Sequence, residues 1–380
     1  MGISSILLEI ISLPVVQEDP GPPPDGGARA WLQILAGHLI NAVTWGYSAS
    51  FGVYQLHYTT TLNLPQSQVS WIGSIQVFLT FFVGTFSGRS ADAGYARHTA
   101  ILGSTLLVLG TFMTSLATTY WQIFLAQGLC TGLGMGILYM PSVAVIGTYF
   151  KKNKAMALGM AASGSGTGSI VFPLIVQQLQ PRIGFPRAVQ IQGCIALAFV
   201  IIINILLRPR LPPRKSGPLV EWRAFLEPTY ALFTVGMFLI FWALYFCYFY
   251  ITAIMLYGWI GIYSVPSMYV WTVLYGMTTA ATQGIFVGGL ASLTTDPSKT
   301  GVRFGMVCSV LAFASLAGPP TAGAFIQAQH GRFTWAQIWS GTVTIAGASF
   351  IAAARWSQRL AFRKEQVRER ERRNPGTLAV

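Results

Sequence analysis

The residues that could do covalent chemistry are few and poorly placed for it. Cys130, Cys194, Cys247 and Cys308 each stand alone in an apolar stretch, with no C-x-x-C pair to hold a metal or close a redox cycle. They read as small packing residues. His38, His57, His98 and His330 are scattered, and no H-E-x-x-H or G-x-S-x-G run occurs. No metal, no cofactor and no enzymatic activity is expected. What remains is the chemistry of reversible binding. Neutral amides and phenols can exchange hydrogen bonds with a solute, and the imidazole of His38 can change charge near neutral pH. The candidates for solute contact are Asn41, Tyr47, Gln76, Gln127, Tyr139, Tyr245, Tyr248, Tyr275 and Gln283. Trp45, Trp242 and Trp271 read more simply as interface or packing residues. His38 is either a proton-carrying group or a histidine satisfied between helices, the commoner fate.

A bilayer must surround these groups. Of 380 residues, 53% are hydrophobic and 9% charged, against about 25% charged in soluble proteins. That excludes an ordinary soluble enzyme, a disordered chain and a small secreted scaffold. The net charge of +13 does not point to nucleic acid, because the basic residues sit in short clusters between apolar runs, the pattern of membrane loops. Burying a Lys, Arg or Asp mid-span costs ~3 kcal/mol, and a span takes about 20 residues. Spans therefore appear as charge-free runs. Arg29 to Arg89 encloses 59 uncharged residues, two spans with a turn at Thr59–Gln68, and Arg97 to Lys151 encloses 53, two spans turning near Thr118–Tyr120. Lys154 to Arg182 and Arg187 to Arg208 hold one span each. The first half carries six.

The second half is shorter. Glu227 to Asp296 leaves 68 uncharged residues, too few for four spans of about 20 residues with loops. Positive residues mark the cytoplasmic side. Arg89/Arg97, Lys151/Lys152/Lys154, the Arg208–Arg223 cluster, Lys299/Arg303 and the tail share one side if that run crosses twice. The crossings are placed near Tyr230–Ile251 and Met268–Ala291, leaving Thr252–Val265 as a fragment. Arg303 to Arg332 and Arg332 to Arg355 hold one span each. The expectation is an all-α polytopic membrane protein with ten full spans and a fragment. It divides into a cytoplasmic N-terminal segment (1–29), a six-helix half (30–208), a central cytoplasmic loop (209–227), a C-terminal half short of about two helices (228–354) and a basic cytoplasmic tail (355–380). The plasma membrane is the expected location. Residues 1–16 make a poor signal peptide, since Glu9 interrupts them and no basic stretch precedes them. The tail is either a cationic helix on the inner leaflet or a solvated flank.

Glycine clusters at Gly128/Gly132/Gly134/Gly136 and at Gly159/Gly164/Gly166/Gly168. The second cluster has the wrong spacing for a dinucleotide loop and lies within a span. Both read as close helix packing, expected between the fourth and fifth spans. Pro141 lies in the fourth span, Pro173 is expected to interrupt the fifth, and Pro319-Pro320 to break the helix after Arg303.

Three motifs carry a resemblance. Asp25-Gly26-Gly27 followed by Trp31 resembles the entry motif of fungal monocarboxylate-transporter homologues, the monocarboxylate porter family of the major facilitator superfamily. Tyr149-Phe150-Lys151-Lys152-Asn153-Lys154 leading to Gly159 and Gly164 is similar to that family's second signature. Gly88-x-x-x-Asp92, with Arg97 following, resembles the superfamily's cytoplasmic gate motif, though Ala93 replaces the usual basic residue. Gly318-Pro319-Pro320-x-x-Gly323 also looks like the family's eleventh helix. The resemblance implies alternating-access transport of a small organic anion or related metabolite, with proton coupling open. Two departures count against lactate–proton symport: the first span ends Phe51–His57 without the family's Lys, and no charged pair stands between Glu227 and Asp296. An exporter of a fungal secondary metabolite is one alternative. A non-transporting sensor or scaffold is another, favoured by the short second half.

Overall fold

The structure is a computed structural model that describes residues 21–210, 222–244, 264, 267, 270, 300–329 and 332–373. Among these residues every regular element is helical. Helix α1 runs Ala28–Thr60, α2 Gln66–Ser90, α3 Ala96–Leu116 and α4 Tyr120–Tyr149. Helix α5 comes in two pieces, Lys154–Ala162 and Gly164–Ile183, and α6 runs Phe185–Leu206. After the central stretch come α7, Pro228–Leu244, α8, Thr300–Ala328, and α9, Thr334–Arg373.

Local sequence sets the turns. Gly27 precedes α1 with φ 86° and Gly184 joins α5 to α6 with φ 82°, a left-handed backbone open to glycine at no steric cost. At the start of α4 the Gln122 side-chain carbonyl accepts the N–H groups of Thr118 and Thr119, at 3.0 and 3.2 Å, satisfying donors that the first helical turn leaves free.

Six helical stretches among the described residues are long and apolar enough to cross a membrane: Gln68–Ser90, Ala93–Leu116, Tyr120–Tyr149, Met156–Ile183, Phe185–Leu206 and Gly305–Ala328. Helix α1, with 33 residues, is also long enough at about 1.5 Å per residue. It is less apolar because it buries Gln33, Asn41, Thr44 and Ser50 inside the bundle. The segments placed at Met268–Ala291 and Thr252–Val265 fall almost wholly outside the described residues.

Small residues set the packing, though not between the partners expected. The first glycine cluster, on α4, meets α2 and α3. A Cβ at Gly132 would lie 2.9 Å from Gln76 Cα, and one at Gly136 would strike the Leu79 carbonyl. Gly134 lies against Leu107, and Gly103 on α3 would put a Cβ 2.7 Å from the Leu138 nitrogen. The second cluster packs on α1 rather than on α4: a Cβ at Gly164 or Gly168 would strike the carbonyl of His38 or Ala42. Dispersion, the main attraction between spans in lipid, falls off within an ångström of contact, so backbones that approach this closely gain most.

The prolines do not break their helices. Helix α5 continues through Pro173 and α8 through Pro319 and Pro320; the interruption in α5 falls at Ser163. Inside a bundle, neighbouring groups and small backbone adjustments re-satisfy the carbonyls that a proline frees. Helix α9 runs unbroken for 40 residues, so the basic tail extends it to Arg373.

Candidate functional site

The two longest motifs meet at the end of the bundle where the basic clusters gather. Asp25 Oδ1 accepts the backbone N–H groups of Lys151 and Lys152, at 2.5 and 2.8 Å. Its own N–H donates to the Tyr149 carbonyl at 3.1 Å. The Lys151 N–H is the chief reason the Asp25 carboxyl is held below its ordinary value, with the Lys152 and Asn153 N–H groups and the Lys152 charge adding to it. Trp31 meets Phe150 edge-on, ring centroids 6.5 Å apart. Asp25-Gly26-Gly27-Trp31 and Tyr149-Phe150-Lys151-Lys152 are thus two sides of one clip.

The C-terminal end of α6 closes that clip into a belt. Arg210 donates to the carbonyls of Gly21, Pro22 and Thr148, at 2.9, 2.7 and 3.2 Å. Tyr149 Oη donates to the Arg208 carbonyl at 2.9 Å. Gln33 accepts the Arg208 N–H at 3.0 Å and donates to the Leu206 carbonyl at 2.9 Å. Lys154 is partly buried, which pushes its ammonium pKa down. A Cβ at Gly26 or Gly159 would meet no atom within 4 Å, so packing does not demand glycine there. Gly88 has ordinary room beside Met140. Asp92 lies within the Ala91–Tyr95 turn, where Gly94 takes φ 91°, and Arg97 opens the helix that follows; the Asp92 side chain lies outside the described ones.

The described candidates for solute contact, Asn41, Tyr47, Gln76, Gln127 and Tyr139, are buried but do not form one constellation. Tyr139 on α4 meets Trp45 on α1 edge-on at 5.9 Å, and Trp45 packs on Phe81 of α2 at 5.6 Å. Gln76 places its Nε2 3.2 Å from Met135 Sδ. Gln127 accepts the Tyr58 hydroxyl at 2.7 Å and stands in the π-helical stretch Phe124–Thr131, an irregularity often found at functional positions. Gln76 Oε1 and Gln127 Nε2 are buried with no hydrogen-bond partner among the described residues. Asn41 donates to the Gly37 carbonyl of its own helix at 2.8 Å, and Tyr47 packs on Phe172 at 5.4 Å. His38 lies between α1 and α5, Nδ1 3.2 Å from the Met160 carbonyl and 3.4 Å from Ser163 Oγ, Nε2 3.1 Å from Thr167 Oγ1. Tyr245, Tyr248, Tyr275 and Gln283 lie outside the described residues.

Two pairings had no sequence signal. Arg303, almost wholly buried, makes a two-pronged pair with Glu227 at 2.6 and 3.1 Å and stands over the Tyr230 ring. Thr85 on α2 bonds across to Gly305 and Ser309 on α8. Partners more than 70 residues apart leave no local spacing to read; Glu227 was legible only as the end of an apolar run, and Arg303, read as a loop charge, instead lies buried in the first turn of α8.

Comparison with known proteins fixes the family. Residues 35–293 match the family described as Major Facilitator Superfamily. This chain belongs to the Major Facilitator Superfamily. It is 39% identical to an MFS-type transporter of Gibberella zeae over 394 aligned positions, covering 90% of this chain and 89% of that one. It is 30% identical to the aspyridones efflux protein of Emericella nidulans over 393 positions, covering 89% of this chain and 80% of that one. The fold also resembles the crystal structure of the human organic anion transporter MFSD10, with a TM-score of 0.58, 16% identity, and 87% of this chain and 100% of that one covered. The superfamily assignment makes the protein a multi-pass membrane transporter. The alignment with the Gibberella transporter takes in about 340 residues of this chain along its 394 positions. About 50 positions of the relative therefore have no counterpart here, about two spans' worth.

Proposed function

We propose that this protein exports a neutral or weakly polar organic metabolite from a fungal cell by alternating access. One observation carries the reading: in the described helices α1 to α8 Lys, Arg, Asp and Glu stand at the helix ends, and in α9 only from Arg355 on, past its apolar stretch, while the buried interior offers amides and aromatic rings. A fixed carboxylate on the solute would find no cation there, and an unpaired charge in a span is costly. The spare amide atoms of Gln76 and Gln127 suit a solute with neutral hydrogen-bonding groups. The aspyridones efflux protein supports export of a secondary metabolite by name.

The basic clusters support a cytoplasmic clip, and in this reading both chain ends are cytoplasmic and the membrane is the plasma membrane. A second reading, a monocarboxylate porter with or without proton coupling, is favoured by the meeting of its two signature motifs at Asp25 and Lys151. The test is to delete the gene in its fungus and compare metabolites in medium and mycelium. Export predicts a compound that falls in the medium and accumulates in the cells. An unchanged distribution, with labelled carboxylate uptake into vesicles driven by a pH gradient, would replace export with the second reading.

A further inference from the structure

Among the described residues, the N-terminal six helices meet the C-terminal helices most extensively where α2 runs antiparallel to α8. Near the basic end Thr85 Oγ1 donates to the Gly305 carbonyl at 2.7 Å and lies 2.6 Å from Ser309 Oγ. Gly305 allows the approach, since a Cβ there would stand 2.9 Å from Thr85 Cγ2 and 3.1 Å from its Cα. Deeper in, Phe313 closes edge-on over Phe78 and Phe82, at 5.5 and 6.3 Å.

Contacts within each part are of another kind. Asp25 and Arg210 tie the N-terminal helices together, and Glu227 ties α8 to the start of α7 through Arg303. Hydrogen bonds to charged groups are about twice as strong as neutral ones. Across the seam, Thr85 meets Gly305 and Ser309 through neutral groups.

Both hydroxyls also have a second place to go. A helical Thr or Ser can bond the carbonyl four residues back, as Thr80 does to Gln76 and Thr234 to Tyr230 in this molecule. For Thr85 that carbonyl belongs to Phe81, and for Ser309 to Gly305. Parting α2 from α8 therefore leaves neither hydroxyl nor the Gly305 carbonyl unsatisfied, and avoids the desolvation cost that makes buried polar contacts hard to break. We propose that Thr85 and Ser309 form a reversible hydroxyl latch. It closes the basic end of the seam by bonding across it and opens it when each hydroxyl turns back to its own helix. The latch rests on the transporter reading for its role but not for its detection.

Cys308, fully buried beside Ser309, reports the opening. The full-length protein, with Cys130, Cys194 and Cys247 replaced by Ala, is placed in vesicles and exposed to a maleimide at its basic face. Thr85→Val keeps the shape and removes the hydroxyl; Thr85→Ser keeps the hydroxyl. The bond back to its own helix slightly strains that helix, so the crossing bond keeps only part of one neutral hydrogen bond's worth; Cys308 should label about two- to threefold faster in Thr85→Val, and at the parent rate in Thr85→Ser. Equal rates in the two variants overturn the latch. A Thr85→Cys/Ser309→Cys pair, made with Cys308 also replaced by Ala, should stop export when oxidised and restore it on reduction; an oxidised pair that exports at the reduced rate overturns the latch's role in the cycle. Faster labelling in a protein that moves no solute even when reduced leaves the latch standing and removes the transporter reading instead.

Discussion

Gly164, Gly166 and Gly168 lie within five residues on α5, and the structure expects them to respond oppositely to one methyl group. A Cβ at Gly164 would strike the His38 carbonyl and one at Gly168 the Ala42 carbonyl, both backbone, while Gly166 has nothing within 4 Å. Neither carbonyl can swing aside as a side chain would, so α1 and α5 must part by about 1 Å, enough to forfeit a quarter to a half of the attraction between facing atoms. Gly46 lies on the same contact, with a Cβ position 2.9 Å from the Gly168 carbonyl and 2.6 Å from Phe172 Cδ2, so the strain spreads to a packed ring. Overpacking of this kind costs about 1–3 kcal/mol, while alanine's helix propensity returns up to about 1 kcal/mol. Clashes with backbone belong at the upper end of the overpacking range, so Gly168→Ala and Gly164→Ala should each be destabilised by about 2 kcal/mol net. Gly166→Ala has only the propensity gain and should be neutral or slightly stabilised. The assay is thermal unfolding of detergent-purified protein, with Tm lowered by a few degrees in the first two variants and unchanged or raised in the third. A fall in Gly166→Ala equal to that in Gly168→Ala would refute the reasoning, because the loss would then belong to glycine's backbone freedom and not to the α1–α5 contact.

Other expectations follow from the basic end. Asp25→Ala should raise hydrogen exchange across residues 149–154 and leave the α2–α8 seam unchanged, read by mass spectrometry. The Asp25 carboxyl is depressed below 3.8, so its contribution is present above that ordinary value and is lost only as pH falls through the lower folded value. Exchange in that segment, corrected for intrinsic rate, should be flat from about pH 5 to 8 and rise below about pH 4. Glu227→Gln leaves the buried Arg303 without its anionic partner and should lower Tm. The drop should be smaller than the about 3–5 kcal/mol of a fully buried broken pair, because Glu227 is half exposed. An unchanged Tm would mean that the Glu227–Arg303 pair adds nothing to stability.

Charge spacing made the first six helices legible because charge is costly mid-span: the turns at 61–65 and 117–119 fall inside the apolar runs where polar residues cluster. Proline was misleading. Pro173, Pro319 and Pro320 are helix breakers in water, but here the helices run on through them. Glycine clusters announced close packing without naming the partner, because a small residue shows that a backbone approaches and not which one. The Asp25 clip was half legible. Its two motifs stood out as resemblances, yet nothing local says that a carboxylate before α1 caps a loop more than 120 residues later. Thr85 was invisible, since a hydroxyl in a span usually bonds its own helix.

The remaining prediction concerns the 50 or so positions that this chain lacks against its Gibberella relative. Helix α5 gives a physical reason to expect a helix there. Only 28% of its spanning window is buried, the lowest of the six, with α6 and α8 at 33% and α4 at 67%. Its uncovered face carries Ile170, Val171 and Leu174, which lipid could cover, but also Gln177 and Gln178, both exposed. Amide groups facing hydrocarbon without partners cost several kcal/mol each by the alkane measure, about 4–8, so a protein neighbour suits that face better than lipid. Helix α2 has such a neighbour in α8. A segment of about two spans returning near Tyr250–Met255 would be long enough to supply one for α5. Sequencing the transcript across those codons should therefore find about 50 further in-frame residues containing an apolar, charge-poor stretch. A contiguous transcript without them, from which the chain as it stands still exports its solute, would show that α5 works against lipid alone and would sink the argument from its exposed glutamines.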